Sequence, residues 1–145
     1  MTYRINEFQF DLPHSNDMQD ATINILKFSD LGTSLVISRS LLAEGETLQS
    51  NFDAQLKRLE QQVKALRYQP GQNVRVGAAQ DMDAIELRSQ FSKGTEHVYQ
   101  YQLALVLPGT RKMIALSYVK AQPLGDAEAA HWAGIKSSLH FDRQV

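Results

Sequence analysis

Hydrophobic and polar residues alternate along several stretches of this chain, and this period of two predicts β-strands. Residues 7–12 alternate aromatic or aliphatic with polar side chains, which predicts a first strand that ends at Pro13. Two further strands are predicted at residues 22–28 and 34–40. A turn containing Gly32 would join them, so the two strands are expected to pair as a hairpin.

A longer segment has helical rather than strand spacing. Thr47 stands where an N-terminal cap is expected, and apolar residues then recur at steps of three and four. This stripe consists of Leu48, Phe52, Leu56, Leu59, Val63 and Leu66. The opposite side is charged. The pattern predicts an amphipathic helix of about 20 residues, some 30 Å long, that ends before Pro70.

The second half of the chain is predicted to form a meander of strands followed by one helix. Strands are expected at residues 74–76, 83–91, 96–107 and 112–120, with Asp126 capping the final helix. The order of these elements predicts the α+β class: a mainly antiparallel β-sheet flanked by helices that pack on one of its faces.

The predicted strands have two chemically different faces. Between residues 34 and 40, Leu35 and Ile37 point to one side, which predicts a core face. The other side carries only small or neutral side chains: Ser34, Val36, Ser38 and Ser40. A solvated face usually carries charges, and a core face would not carry three serines. This second face therefore suits a binding surface for an apolar ligand that also forms hydrogen bonds.

The later strands extend the second face. Its expected apolar members are Ile23, Ile25, Val36, Ala104, Val106, Met113 and Val119. If helices cover only the other side of the sheet, these residues form an exposed apolar patch, which usually marks an interaction site. The alternative is a solvated antiparallel face that tolerates neutral residues.

Composition narrows the function classes. The 145 residues fit a single domain spanning 1–145, with 43% hydrophobic residues for one core. The balance of 15 Lys and Arg against 16 Asp and Glu argues against a nucleic-acid or anionic-membrane surface. Cysteine is absent, which excludes disulfides and thiolate chemistry. Without a signal-like N-terminus or an apolar run of about 20 residues, the chain is expected to be cytoplasmic and not membrane-inserted.

Catalytic and metal-binding patterns are weak. The four histidines are His14, His97, His131 and His140. None has the i, i+4 spacing of a helical metal pair, and each is expected to be a surface or packing residue. The sequence has no Gly-x-Ser-x-Gly elbow, phosphate-binding glycine loop or dinucleotide fingerprint. We therefore expect no enzyme, metal or cofactor, and a hydrolase with a scattered active site is the least favoured class.

The chain resembles a known family over most of its length. The resemblance is carried by Ile23-Asn24-Ile25, by Val36-Ile37-Ser38-Arg39, by Gln55-Leu56 and by Gln102. In their order and spacing these segments are similar to the Eag family of effector-associated chaperones from bacterial type VI secretion, a group of small DcrB-like proteins. That family's fold, which resembles Mog1 and PsbP, is a sheet flanked by helices.

The resemblance implies a specific function. Such chaperones are homodimers that hold the N-terminal transmembrane helices of Rhs-type or related toxins before loading on the secretion spike, so any contact with the spike would be made through the toxin. The positions that match the family's client contacts are Ile23, Ile25, Ser34, Val36, Ser38, Gln55 and Gln102. The alternative is a small α+β adaptor that binds a folded protein through the same sheet face.

Overall fold

The computed structural model describes residues 1–13 and 18–141 of the chain. Within these ranges the elements follow one another as β1 (Thr2–Arg4), β2 (Gln9–Asp11), β3 (Asn24–Phe28), β4 (Thr33–Leu41), α1 (Leu48–Gln62), β5 (Lys64–Tyr68), β6 (Gln72–Val76), β7 (Met82–Lys93), β8 (Glu96–Val106), β9 (Lys112–Lys120) and α2 (Asp126–Ser137).

Strands β3 to β9 form one seven-stranded sheet. The strand order is β3-β4-β9-β8-β7-β5. Strand β6 also pairs with β7, along residues 82–86, whereas β5 pairs with residues 89–92 of the same strand. Every pairing in this sheet is antiparallel. The predicted α+β class with a mainly antiparallel sheet is therefore confirmed.

The face of the sheet that carries Leu35 and Ile37 holds the core, as the alternation predicts. Leu105 and Tyr118 are fully buried on it, and Leu103 is nearly so. Helix α2 covers this face: the Trp132 ring stacks on that of Tyr101 with centroids 6.0 Å apart. The Leu35 side chain belongs to the same buried cluster. Burial of these aliphatic and aromatic groups is the main source of stability in a domain of this size.

The two helices lie on opposite faces of the sheet, so the expectation of both on one face is wrong. The side chains of α1 line a groove together with Leu87, Gln102 and Ala104, which belong to the second face. No residue of α1 is fully buried. Helix α1 therefore covers only the β7–β8 part of that face.

Helix α1 is shorter than its apolar stripe predicts. It has 15 residues, ends at Gln62, and is followed by Val63 in extended conformation. Ala65 has φ +56, a left-handed conformation that no regular helix contains. From Lys64 the chain pairs with β7 as an edge strand. Residues from Lys64 onward therefore form backbone hydrogen bonds with β7, although their side-chain spacing alone favours a helix.

Strand β5 is tied to α1 across the second face. The Tyr68 hydroxyl donates a hydrogen bond to Glu60 Oε1 at 3.0 Å, and this bond to a carboxylate raises the pKa of Tyr68. Tyr68 pairs with Ser89. Alternation along β5 therefore places Arg67 on the core face, opposite Tyr68.

The N-terminus forms a separate two-stranded hairpin, β1–β2, where one strand was predicted. Phe8 and Phe10 of this hairpin remain largely exposed. At the other end of the chain Gly125, and not Asp126, occupies the N-cap of α2. No helix in the described ranges has the length and apolar character needed to span a membrane.

Candidate functional site

A groove of about 360 Å³ runs along the second face between α1 and the strands that α1 leaves open. We call it the α1 groove. Its wall is formed by side chains of α1: Phe52, Gln55, Leu56, Arg58, Leu59 and Gln62. Its floor is formed chiefly by second-face residues: Leu87, Phe91, Gln100, Gln102, Ala104, Ala115 and Ser117. A concave, mostly apolar site with a few polar groups is the usual form of a binding site.

Strand register makes the floor part of a continuous row across the sheet. Ile25 pairs with Val36, and Val36 pairs with Ser117. Ser117 in turn pairs with Gln102, and Gln102 with Leu87. With strands about 4.8 Å apart, these four steps span roughly 19 Å. The row carries no charge from the β3 edge to the strand beneath α1.

A neighbouring row on the same face has small side chains at Ser38, Ala115 and Ala104. Ser38 pairs with Ala115, and Ala115 pairs with Ala104. Ala104 pairs with Ile85. Small residues allow another backbone to approach closely, as they do where transmembrane helices pack. The middle of the second face is therefore shallow, with larger apolar groups at its two sides.

The exposed edge of the row is strongly apolar. Ile23 and Ile25 are 60% and 59% exposed, on or next to edge strand β3. Ser34, Val36 and Ser38 lie half-buried on β4 beside them. The structure thus brings these five predicted site residues onto one surface. Isoleucines exposed to this extent retain apolar area that a partner can bury.

The expected apolar patch is smaller than the sequence predicts. Ala104 and Met113 belong to it by alternation but are buried in the structure. Ala104 lies in the groove floor, where α1 faces the strand. The open part of the second face is therefore limited to the β3–β4–β9 side and the mouth of the α1 groove.

The two predicted glutamines line the same groove from different elements. Gln55 belongs to the α1 wall and donates a side-chain hydrogen bond to Asn51 Oδ1 at 2.7 Å. Gln102 lies half-buried in the floor and makes no side-chain hydrogen bond within the described ranges. By contrast, the nearby Gln100 is committed to Ser89 at 3.1 Å. Gln102 therefore has amide donors and an acceptor available to a ligand.

Sequence reasoning missed several groove residues. Ala115 and Ser117 belong to the second face by the alternation along β9, but the predicted site did not include them. Arg58 lies on the α1 wall and, among the described residues, is the one charged side chain lining the groove. The sequence pattern places Arg58 beside the apolar stripe of α1, which does not predict a groove residue. Arg58 lines the groove only because α1 lies on this face of the sheet.

Polar groups beneath α2 have structural partners. Glu86 accepts a hydrogen bond from Trp132 Nε1 at 3.1 Å and pairs with Lys136. Lys120 Nζ lies 2.7 Å from Glu128 Oε1, and this hydrogen bond lowers the pKa of the Glu128 carboxyl. These contacts hold α2 on the core face.

Three histidines can be placed, and His14 lies outside the described residues. His131 Nδ1 is 2.7 Å from the Tyr118 hydroxyl, and His97 Nδ1 is 3.1 Å from Ser92 Oγ. His140 is exposed, beyond the end of α2. Within residues 1–13 and 18–141 no group of three or more His, Asp or Glu side chains could hold a metal ion.

Comparison with known proteins identifies a family and a fold. A family model described as DcrB matches residues 7–138. A crystal structure of a Pseudomonas aeruginosa protein, described as a candidate regulator of unknown function, superposes with a TM-score of 0.73. It is 20% identical, and the match covers 99% of this chain and 98% of that one. At this identity the likeness shows the fold alone. No curated protein matches the chain.

Proposed function

This chain belongs to the DcrB family, and within it we propose a non-enzymatic chaperone of the Eag type that shields the transmembrane helices of a secreted toxin. The client segment would be the N-terminal apolar region of a Rhs-type or related effector, held until the effector is loaded on the type VI secretion spike. The chaperone would act in the cytoplasm, and would meet the spike only through its client.

The observation that carries this proposal is the uncharged row from Ile25 to Leu87 beside the α1 wall. A transmembrane helix is apolar all round and must be covered in water. With side chains it is about 10 Å wide, so a row of roughly 19 Å offers enough width for one helix beside α1. The open rows from β3 to β9 would receive it.

Apolar burial would supply most of the affinity. Complete burial of an isoleucine side chain contributes about 1.5–3 kcal/mol, so Ile23 and Ile25, each more than half exposed, would contribute a large part of that range. A neutral hydrogen bond contributes only about 0.5–1.5 kcal/mol net. The amide of Gln102 and the hydroxyls of Ser34 and Ser38 would therefore select the position of the client helix.

The small row supports a client helix with small residues on one side. Ser38 and Ala115 leave room for a close backbone approach. A helix bearing Gly, Ala or Ser there could lower its backbone into the middle of the face, while Val36 and Ile25 cover its flank. One such sheet covers only part of a helix, so we propose that two subunits act together.

The test uses a carrier protein bearing one N-terminal apolar segment of about 20 residues, rich in Leu, Ala, Gly and Ser. Co-expressed with this chain, the carrier is expected to copurify without detergent. The carrier without its apolar segment is not expected to copurify with this chain. Capture of the bare carrier with undiminished affinity would instead support an adaptor for folded proteins, and failure to capture either would refute helix shielding.

A further inference from the structure

A second cavity of about 540 Å³ lies at the opposite end of the sheet from the exposed isoleucines, beside strand β5. We call it the arginine pocket. Its lining residues come from β5, β7, β8 and the segment before α2: Arg67, Tyr68, Gln69, Arg88, Ser89, Gln90, Tyr99, Pro123 and Leu124. Nothing in the proposed helix-shielding function uses this cavity.

Register places both arginines on the core face, away from the α1 groove. Arg67 pairs with Gln90, and Gln90 pairs with Tyr99. Arg88 lies two residues before Gln90 on β7 and therefore points to the same side. Arg88 also pairs with Tyr101, a residue of the buried core cluster. The two arginines, both exposed, thus occupy diagonal positions on neighbouring strands.

The charge in this pocket is unbalanced. Neither Arg67 nor Arg88 forms an ion pair with a residue in the described ranges, and no Asp or Glu lines the cavity. Arg75, on the adjacent strand β6, is by contrast paired with Asp83 at 3.2 Å. Like charges close together on paired strands repel each other, and an anion between them would remove that repulsion.

The arginine pocket contains further groups that suit an oxyanion. The Arg88 guanidinium lies 5.5 Å from the centre of the Tyr101 ring, which limits its freedom before any ligand binds. Gln90 and Tyr99 can donate hydrogen bonds from the floor. Guanidinium groups bind carboxylates through two parallel hydrogen bonds, so two of them can hold adjacent carboxylates with defined geometry.

We propose that the arginine pocket docks an acidic segment of a partner protein through its carboxylates. The cavity is much larger than a bare ion, and Pro123 and Leu124 add an apolar wall against which a peptide can pack. It also opens beside β5, the terminal strand of the sheet order, whose outer edge has no neighbouring strand in the described ranges. An extended acidic segment could lie along this edge and place its side chains in the pocket.

The test titrates blocked tetraglutamate peptide into the full chain and follows backbone amide shifts by NMR. Shifts are expected at Arg88, Gln90 and Tyr99 and should weaken as salt is added, because exposed charges are screened. Blocked tetraglutamine is the matched control and should cause none. Equal binding of both peptides, no binding of tetraglutamate, or tighter binding of inorganic phosphate than of tetraglutamate would each overturn the proposal.

Variants separate a built site from a generally basic surface. Arg67→Gln and Arg88→Gln are each expected to weaken tetraglutamate binding about tenfold, the value of a charge-assisted hydrogen-bond pair. Arg88→Lys keeps the positive charge but loses the paired donors of the guanidinium group. Its affinity for tetraglutamate should lie between those of the natural chain and Arg88→Gln. Arg75→Gln, a strand arginine outside the pocket, should leave binding unchanged. If Arg88→Gln disturbs folding because it removes the contact with Tyr101, Arg67→Gln alone provides the test. Unchanged tetraglutamate binding in Arg67→Gln would refute the site.

Discussion

Val36 and Ile37 are consecutive residues of β4, yet they lie on opposite faces of the sheet. Val36 pairs with Ser117 in the uncharged row, whereas Ile37 pairs with Leu116 of the buried cluster. The two side chains have nearly the same chemistry. The same substitution at these two positions therefore distinguishes a binding face from a core face.

Ile37→Asp is expected to lower the free energy of unfolding by about 3 kcal/mol or more, because it places an unpaired carboxylate against the packed core. Val36→Asp should leave the melting temperature nearly unchanged but abolish capture of the apolar-segment carrier. The measurements are thermal melts and detergent-free pull-downs on both variants.

Two results would contradict this assignment. If Val36→Asp folds and still captures the carrier normally, the second face is merely solvated and the groove does not hold the client. If Val36→Asp unfolds as readily as Ile37→Asp, this part of the second face is core, and a binding site must lie elsewhere.

Gln102→Ala is expected to weaken carrier capture by about 0.5–1.5 kcal/mol, the net value of one neutral hydrogen bond. Gln55→Ala should have a smaller effect, because the Gln55 amide already donates to Asn51. Gln61→Ala changes the same residue type on α1 outside the groove lining and serves as the control. A titration that finds Gln61→Ala as harmful as Gln102→Ala would argue against a specific polar contact.

The free protein is expected to be a dimer. The exposed isoleucines at the β3 edge and the limited width of one sheet both favour a second subunit that extends the groove. Light scattering after size exclusion should report about twice the chain mass for such a twofold assembly. A monomer at micromolar concentration would remove the two-subunit groove from the proposal while leaving the single-sheet site open to the carrier test.

Stability is expected to depend on pH through Glu128. The hydrogen bond from Lys120 lowers the pKa of this carboxyl in the folded protein, against the opposing effect of burial. Because the folded pKa lies below the ordinary value of roughly 4.3, the stabilisation is complete above that value. It is lost as the pH falls from there through the folded pKa.

Glu128→Gln should therefore be less stable than the natural chain at neutral pH, with a gap that closes as the pH falls below roughly 4. Urea unfolding across this range measures the gap. Asp83→Asn removes the exposed pair with Arg75 and should cost little at any pH. A Glu128→Gln gap that stays constant down to acid pH would show that packing, not charge, is responsible.

Much of the sheet could be predicted from local pattern. Alternation along β8 and β9 places Leu103, Leu105 and Tyr118 on one face of the sheet, and all three are buried. It also placed Ile25 and Val36 on the other face, where register then aligned them. The period of a strand is fixed by backbone geometry, so side-chain direction follows from sequence without knowledge of neighbours.

The ends of elements were less predictable. Val63 and Leu66 continue the apolar stripe of α1, but the chain leaves the helix at Gln62 and joins β7 as a strand. Helical spacing and edge pairing compete for the same backbone hydrogen bonds. Whether these residues form helix or strand depends on β7, a partner strand far away in the sequence. A local pattern carries no information about such a partner.

By itself, then, the sequence determined the α+β class, the side-chain directions in most strands and the uncharged second face of β4. Only the tertiary structure decided that α1 lies on that face, which buries Ala104, turns Arg58 into the groove and brings Gln55 to the same groove as Gln102. It also decided that Arg67 and Arg88 share a pocket. The proximity of these residues depends on helix placement and strand order. Both are set by packing between distant segments and not by the periodicity within one segment.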